Sequence, residues 1–314
     1  MCKSTIILRE KQMFNKKFAY LKRKKYFCTI DFKTISMPQY DVRELQLHIL
    51  NNLLVLDKVC REHHLRYYLS DGTMLGAVRH GGFIPWDDDA DVMMPRPDYD
   101  ILMANAQEWL PEPYEVKCAE IDPDYPGDFG KLIDASTTLI ERYHYKYLSG
   151  IYIDIFPLDG APISSLSQKI LLGRYQFWRK LAYLHHRNPY KHGKGISSWP
   201  SRLLQHLFTT AQMQRHVCKV MTTYDYQQTP LVIEFDDGKH GIIEKNVIGE
   251  PTAIQFEGHN LLGVEHPHEY LSALYGDYMR IPDVQHQQIH DFYYLDYQLP
   301  YRQYHDERPF MQSE

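Results

Sequence analysis

Cysteine pairing, zinc-knuckle spacing and long apolar runs are all missing from this chain. Its five cysteines (Cys2, Cys28, Cys60, Cys118 and Cys218) are scattered, odd in number and never spaced CxxC. That excludes a disulfide framework and fits a reducing cytoplasm. No stretch approaches the roughly 18 consecutive apolar residues of a membrane-spanning helix. Internal repeats and low-complexity tracts are absent too. The 17 histidines include pairs at His63-His64 and His185-His186, but none has a zinc-site spacing. What remains is ordinary for a globular protein: 314 residues, 44% hydrophobic and 24% charged, enough for a sizeable core.

Acidic charge predominates, but unevenly. The net charge is −5. Residues 1–36 hold ten Lys/Arg and two Asp/Glu, leaving the rest with 25 against 38. An acidic body lacks the clustered cations that neutralise nucleic-acid phosphates, so nucleic acid is not an expected partner. The basic leader has no apolar segment beyond Ile6–Leu8 and is not a secretory signal. It reads as a disordered leader, or as sequence preceding a true start at Met37.

The informative stretch is 68–94, YLSDGTMLGAVRHGGFIPWDDDADVMM. A Gly72-Thr73 pair follows a short apolar strand, and Asp87, Asp88, Asp89 and Asp91 follow about fifteen residues later. If Trp86–Met94 is extended, Asp87, Asp89 and Asp91 share one face. Carboxylates about 7 Å apart repel by roughly 0.6 kcal/mol per pair in water, and by about 2–3 kcal/mol at an effective dielectric near 20. A hard divalent cation, Mg²⁺ or Mn²⁺, is the economical compensation. A solvated acidic loop is the commoner meaning of such a run. Here the run leads directly into apolar Val92-Met93-Met94, which anchors it at a core edge. Calcium-loop spacing fails, because Val92 and Asp98 stand where a Gly and a Glu are required.

The rest of the chain alternates helix and strand. Asp41 and Glu44 form a capping-box pattern for a helix over 41–63, with Leu45, Ile49, Leu53, Leu56 and Cys60 on one stripe. Strands are expected at 66–70, 90–94, 114–120, 131–134, 138–143 and 150–158, and helices at 73–79 and from Pro97 to about Trp109. In GIYIDIFPL, Ile151, Ile153 and Ile155 face one way and Asp154 the other. A carboxylate in so apolar a strand needs a partner, which makes Asp154 the natural complement to the acidic run. Asp71 is placed to cap the short helix. Helices are expected at 164–186 and 200–224, separated by a basic link, then strands at 231–235 and 252–264 and a helix at 267–275. The fold class is mixed α/β (α+β): a mixed sheet flanked by helices over 37–160, with a more helical part over 161–300 packed on it.

Strand, Gly-Thr, short helix, strand with alternating Asp, and a later Asp-bearing strand together resemble the nucleotidyltransferase fold of DNA polymerase β-like enzymes. More closely, DGTMLGAVRHGGFIPWDDDADV and GIYIDIFPLDG resemble the LicD family of phosphocholine transferases, relatives of fukutin and fukutin-related protein. Phe256-Glu257-Gly258 and the run from Tyr270 to Met279 resemble it as well, so the likeness spans about 41–290. It implies transfer of a phospho-alcohol from a CDP-activated donor such as CDP-choline to a hydroxyl of a surface glycan or glycolipid, with release of CMP. It further implies that Asp89 and Asp91 hold Mg²⁺ or Mn²⁺ with Asp87 alongside. Asp154 becomes a further ligand or the base that takes the acceptor proton. Gly72 and Thr73 would hold nucleotide phosphates, with Arg79 and Lys131 as charge clamps. Choline would need an aromatic cage, for which Tyr275 and Tyr278 are candidates. The setting would be the cytoplasm, at the inner face of a membrane, which the basic tail of the 170–184 helix could approach. The alternatives are a strict nucleotidyltransferase, an Asp-x-Asp glycosyltransferase using Asp89 and Asp91, and a non-catalytic metal-binding protein.

Overall fold

The computed structural model describes residues 40–144, 147–190, 195–287, 289–290 and 292–308. The basic leader lies outside the described residues. In chain order the elements are α1 (Val42–Glu62), β1 (Tyr68–Leu69), α2 (Asp71–His80), β2 (Asp91–Pro95), α3 (Arg96–Trp109), β3 (Tyr114–Lys117), β4 (Gly130–Ile140) and β5 (Ser149–Ala161). Then come α4 (Ser165–His186), α5 (Trp199–Leu207), α6 (Thr210–Met221), β6 (Leu231–Ile233), β7 (Ile242–Glu244), α7 (Lys245–Ile248), β8 (Thr252–Phe256), β9 (His259–Gly263), α8 (Pro267–Tyr275) and β10 (Tyr294–Asp296).

Eight strands form one mixed sheet. β5 is its axis: β4 runs antiparallel on one side, β2 runs parallel on the other, and β6 pairs with its far end. β5 holds this position because Ile151, Ile153 and Ile155 are fully buried on one face. Against that side packs α1, whose stripe Leu45, Ile49, Leu53, Leu56 and Cys60 is buried as the spacing predicts. Asp41 caps α1, accepting from the Arg43 and Glu44 N–H groups. Asn52 reaches from α1 to donate to Ile151 O at 2.9 Å. At the other end of β5, Arg96 at the start of α3 clasps Asp159 through Nε (2.8 Å) and Nη2 (2.6 Å).

Several expectations shift. The two strands expected at 131–134 and 138–143 are one strand, β4, with a register shift between Asp134 and Leu139. Gly150 permits that irregularity, since a Cβ there would lie 1.9 Å from Asp134 O. The helix expected over 200–224 is two, α5 and α6, because Thr209 starts a new capping box with Gln212. The β8–β9 hairpin turns on Glu257 and Gly258 alone, both at positive φ. The β2 strand begins at Asp91, so Asp87–Ala90 are irregular and strict alternation does not hold there.

Candidate active site

The acidic run sits at the start of β2, beside the N-terminus of α2. Parallel pairing sets Asp91 opposite Asp154, and antiparallel pairing sets Lys131 opposite Asp154. Side chains in one cross-strand row point to one face. Asp91, Asp154 and Lys131 therefore converge from three strands. The sequence expectation that Asp154 joins the acidic run is met by backbone register.

Asp87, Asp88 and Asp89 bring carboxylate oxygens within 4.8 Å of one another. Asp88 does not point away as alternation required; it is buried and accepts from Tyr40 Oη, from His290 N–H (2.8 Å) and from His290 Nδ1 (2.7 Å). These bonds fasten the acidic turn to a distant part of the chain. The hydrogen bond to Asp88, with the Asp89 and Asp88 charges adding, lifts His290 to about 9, so at neutral pH its Nδ1–H donates.

Like charge and burial dominate the electrostatics. Burial pushes Asp87 up to about 8, with Asp89 and Asp88 adding. Burial also raises Asp91 well above the carboxylate range, with Asp89, Asp71, Asp154 and Asp87 adding in that order. Asp154 is pushed up to about 7 by burial despite Lys131. Lys131 Nζ forms an ion pair with Asp154 Oδ1 at 3.0 Å, and among the described residues this buried oxygen accepts from no other group. A concentration of partly buried carboxylates that outnumber the cations beside them is the environment a hard cation satisfies. The donor set therefore fits Mg²⁺ or Mn²⁺.

The phosphate side of the site is the first turn of α2. The first helical bond runs from Met74 N–H to Ser70 O, so the N–H groups of Gly72 and Thr73 have no helical acceptor. Gly72 lies directly against the acids: a Cβ there would sit 3.1 Å from Asp87 Oδ2. Thr73 Oγ1 accepts from Asp91 N–H at 2.8 Å and ties the helix start to the start of β2. The two proposed clamps differ in position. Lys131 is deep in the row, between Asp154 and Glu141 (2.9 Å) and 3.2 Å from the Tyr152 ring centre. Arg79 lies about two helical turns from Gly72 and donates to Tyr278 O at 2.8 Å; burial lowers its pKa, with the Asp87 charge opposing.

Asp71 is not a cap. Ser70 occupies the N-cap position without a side-chain cap bond, and Tyr270 Oη accepts from the Asp71 N–H at 3.2 Å. Asp71 is the first helical residue, at φ 47°, and forms a second acidic trio with Glu234 and Asp237. Burial, then Asp237 and Glu234, raise it well above the usual range, and Glu234 is pushed up to about 8 by burial with Asp236 and Asp237 adding. Sequence reasoning missed Glu234 and Asp237. The signal was the run Ile233-Glu-Phe-Asp-Asp237, acids placed directly after an apolar strand as in the first motif. Of the cage candidates, Tyr278 is buried, with Oη 3.2 Å from His268 Nδ1. Tyr275 stays 46% exposed.

The C-terminal motif braces this centre. Glu257 accepts from Arg43 Nη2 (2.6 Å), Arg43 Nη1 (3.0 Å) and Phe83 N–H (3.1 Å), just before the acidic turn. Gly82 makes room for it, since a Cβ there would meet Glu257 Oε1 at 2.3 Å.

Carboxylates on adjoining strands thus lie beside the open N–H groups of a helix start. Residues 64–192 match the family described as LicD/FKTN/FKRP, nucleotidyltransferase domain. The chain is 29% identical to the lipopolysaccharide cholinephosphotransferase LicD of Haemophilus influenzae, over 81% of this chain and 97% of that protein. Uncharacterized proteins of Rickettsia prowazekii and Rickettsia typhi share a 31-residue stretch at 52% identity, 10% of this chain and 12% and 10% of theirs. The chain is thus similar to the LicD family over residues 64–192 and to the Haemophilus protein along most of its length.

Proposed function

We propose that this protein is a phosphotransferase that moves a phospho-alcohol, phosphocholine first among the candidates, from a CDP-activated donor to a hydroxyl of a cell-surface glycan or glycolipid, releasing CMP. The observation that carries the reading is the register pairing of Asp91 with Asp154 beside the open N-terminus of α2. The named activity of the Haemophilus relative supports the choice of phosphocholine and lipopolysaccharide.

Attack on a phosphodiester-like phosphorus needs alignment and charge neutralisation more than covalent help. Asp89 and Asp91, with Asp87 alongside, would hold Mg²⁺ or Mn²⁺. When bound, such a cation supplies charge neutralisation at the phosphate oxygens. The N–H groups of Gly72 and Thr73 would orient those oxygens at the helix start. Asp154, held near neutrality between burial and Lys131, is suited either to ligate or to take the proton of the acceptor hydroxyl. Lys131 keeps Asp154 oriented. Arg79 serves the donor's outer phosphate. Among the described residues no helix is long and apolar enough to cross a membrane. The proposed setting is the cytoplasmic side of a membrane, where a glycolipid acceptor presents its sugar.

The test is product analysis with a panel of donors, Mg²⁺ and lipopolysaccharide. CMP release from CDP-choline, with choline on the glycan, is expected. UDP from a nucleotide sugar would instead make it a glycosyltransferase, and pyrophosphate from a nucleoside triphosphate a strict nucleotidyltransferase. No turnover with any donor would leave a metal-binding protein without catalysis.

A further inference from the structure

From Gly160 to Tyr224 the chain has no Asp or Glu, while ten Lys/Arg fall in the same 65 residues. The whole chain carries −5, so this acid-free stretch is a marked local reversal. It contains α4, α5 and α6. The inner face of α4 is core: Leu171, Tyr175 and Ala182 pack with Met213 and Val217 of α6. The outer face is not. Leu166, Ile170 and Phe177 recur at helical spacing and are each more than half exposed. The neighbouring helix α5 repeats the arrangement, with Trp199, Leu203 and Leu207 four residues apart and more than half exposed. Exposed Lys169, Arg174, Lys180 and Arg202 share these two helices. Arg179 is the exception: it turns inward to Asp128 (3.8 Å) and to Asp236.

We infer that the outer faces of α4 and α5 form a docking surface for an anionic lipid bilayer. Two adjacent helices with aligned Leu, Ile, Phe and Trp, basic flanks and no carboxylate are built to lie in a membrane interface, apolar side chains down and cations among the headgroups. Charge selects this occupant. A second copy docked face to face would set this same acid-free, basic surface against itself, cation against cation. An anionic bilayer satisfies the cations and the apolar side chains at once. The geometry also links this surface to the active site. α4 grips Asp236 from its inner face, and Asp237 beside it belongs to the trio with Asp71. A bilayer under α4 would lie about one helix diameter, roughly 10–12 Å, from Asp236, and its use for reaching a glycolipid rests on the transferase reading above; the docking itself does not.

Flotation of the full chain with vesicles tests it, with no donor or acceptor present, so failure of the transfer reaction has no bearing on the result. The protein is expected to float with equal-part phosphatidylglycerol and phosphatidylcholine vesicles, to float poorly with phosphatidylcholine alone, and to release in high salt. Leu203→Glu with Leu207→Glu, and Ile170→Glu with Phe177→Glu, should each weaken binding roughly tenfold or more. Undiminished flotation of both folded variants would overturn the proposal and assign any binding elsewhere, the basic leader included. Light scattering adds a second outcome: a dimer of the parent that these variants split, with no flotation, would also overturn it. In the parent protein, a blue shift of tryptophan emission on vesicle binding that vanishes in Trp199→Phe supports it without any charge reversal. A shift unchanged in Trp199→Phe would contradict it.

Discussion

Asp91 on β2 and Asp154 on β5 are register partners across a parallel strand pair. Two carboxylates held on one face by backbone hydrogen bonding cannot swing apart, so burial raises both. Such a pair costs stability unless a cation or proton is shared. Replacing either should therefore separate catalysis from folding. Asp91→Ala and Asp154→Asn are each expected to lower transfer rates roughly a hundredfold or more, while the melting temperature without metal stays level or rises. Paired rate and thermal-shift measurements decide it; a collapse in melting temperature would make these residues architectural.

The same repulsion sets a pH dependence. Asp87 and Glu234 at about 8 and Asp154 at about 7 bind protons more tightly folded than unfolded. Their contribution is thus present below pH about 4 and is lost as pH rises through about 7–8. His290, raised to about 9, adds stability in the same direction, lost as pH rises through that value. Metal-free protein should melt at progressively lower temperature from pH 5 to pH 8, since these raised acids outnumber His186, which burial lowers to about 4 and which acts in the opposite direction. Added Mg²⁺ should restore more at pH 8 than at pH 5. Thermal scans across pH with and without Mg²⁺ check this, and an equal Mg²⁺ effect at both ends would contradict it.

Glu257 should matter to activity although it is far from the acids in sequence. It holds Phe83 N–H and Arg43 at the entrance to the acidic turn. Arg43 is half exposed, so solvent discounts the ion pair and the backbone bond carries the effect. Glu257→Ala is expected to cost about 1–2 kcal/mol of stability and to lower turnover as the turn loosens. Denaturant melts and rates on the same preparation measure both.

The Arg96–Asp159 clasp is a structural control remote from catalysis. Both partners are buried. Arg96→Met should cost about 3–5 kcal/mol by stranding Asp159, and the double change with Asp159→Leu should recover much of it. A double-mutant cycle in urea reads the coupling.

The sequence made most of this legible where pattern and chemistry agreed. The α1 stripe, the Gly81 C-cap of α2 at φ 70°, and the α8 helix stopped at Gly276 stand close to where spacing placed them. So does Asp154, because alternation on so apolar a strand left one side for the carboxylate. What stayed hidden depended on contacts remote in sequence. Nothing local revealed that Asp88 would turn inward to His290, 202 residues away. Nor could periodicity tell that Asp71 would meet Glu234 and Asp237, since that trio exists only after β6 docks on β5. Short strands such as β7 and β10 escaped because three residues carry no periodic signal.

Crystals grown with Mn²⁺ and a non-transferable CDP-choline analogue, measured at the manganese absorption edge, test the central claim most directly. The account predicts an anomalous peak bonded to Asp89 and Asp91, with Asp87 or Asp154 completing the protein ligands and a donor phosphate near the N–H groups of Gly72 and Thr73. Manganese confined to Asp71, Glu234 and Asp237, or absent with the analogue bound, would contradict it.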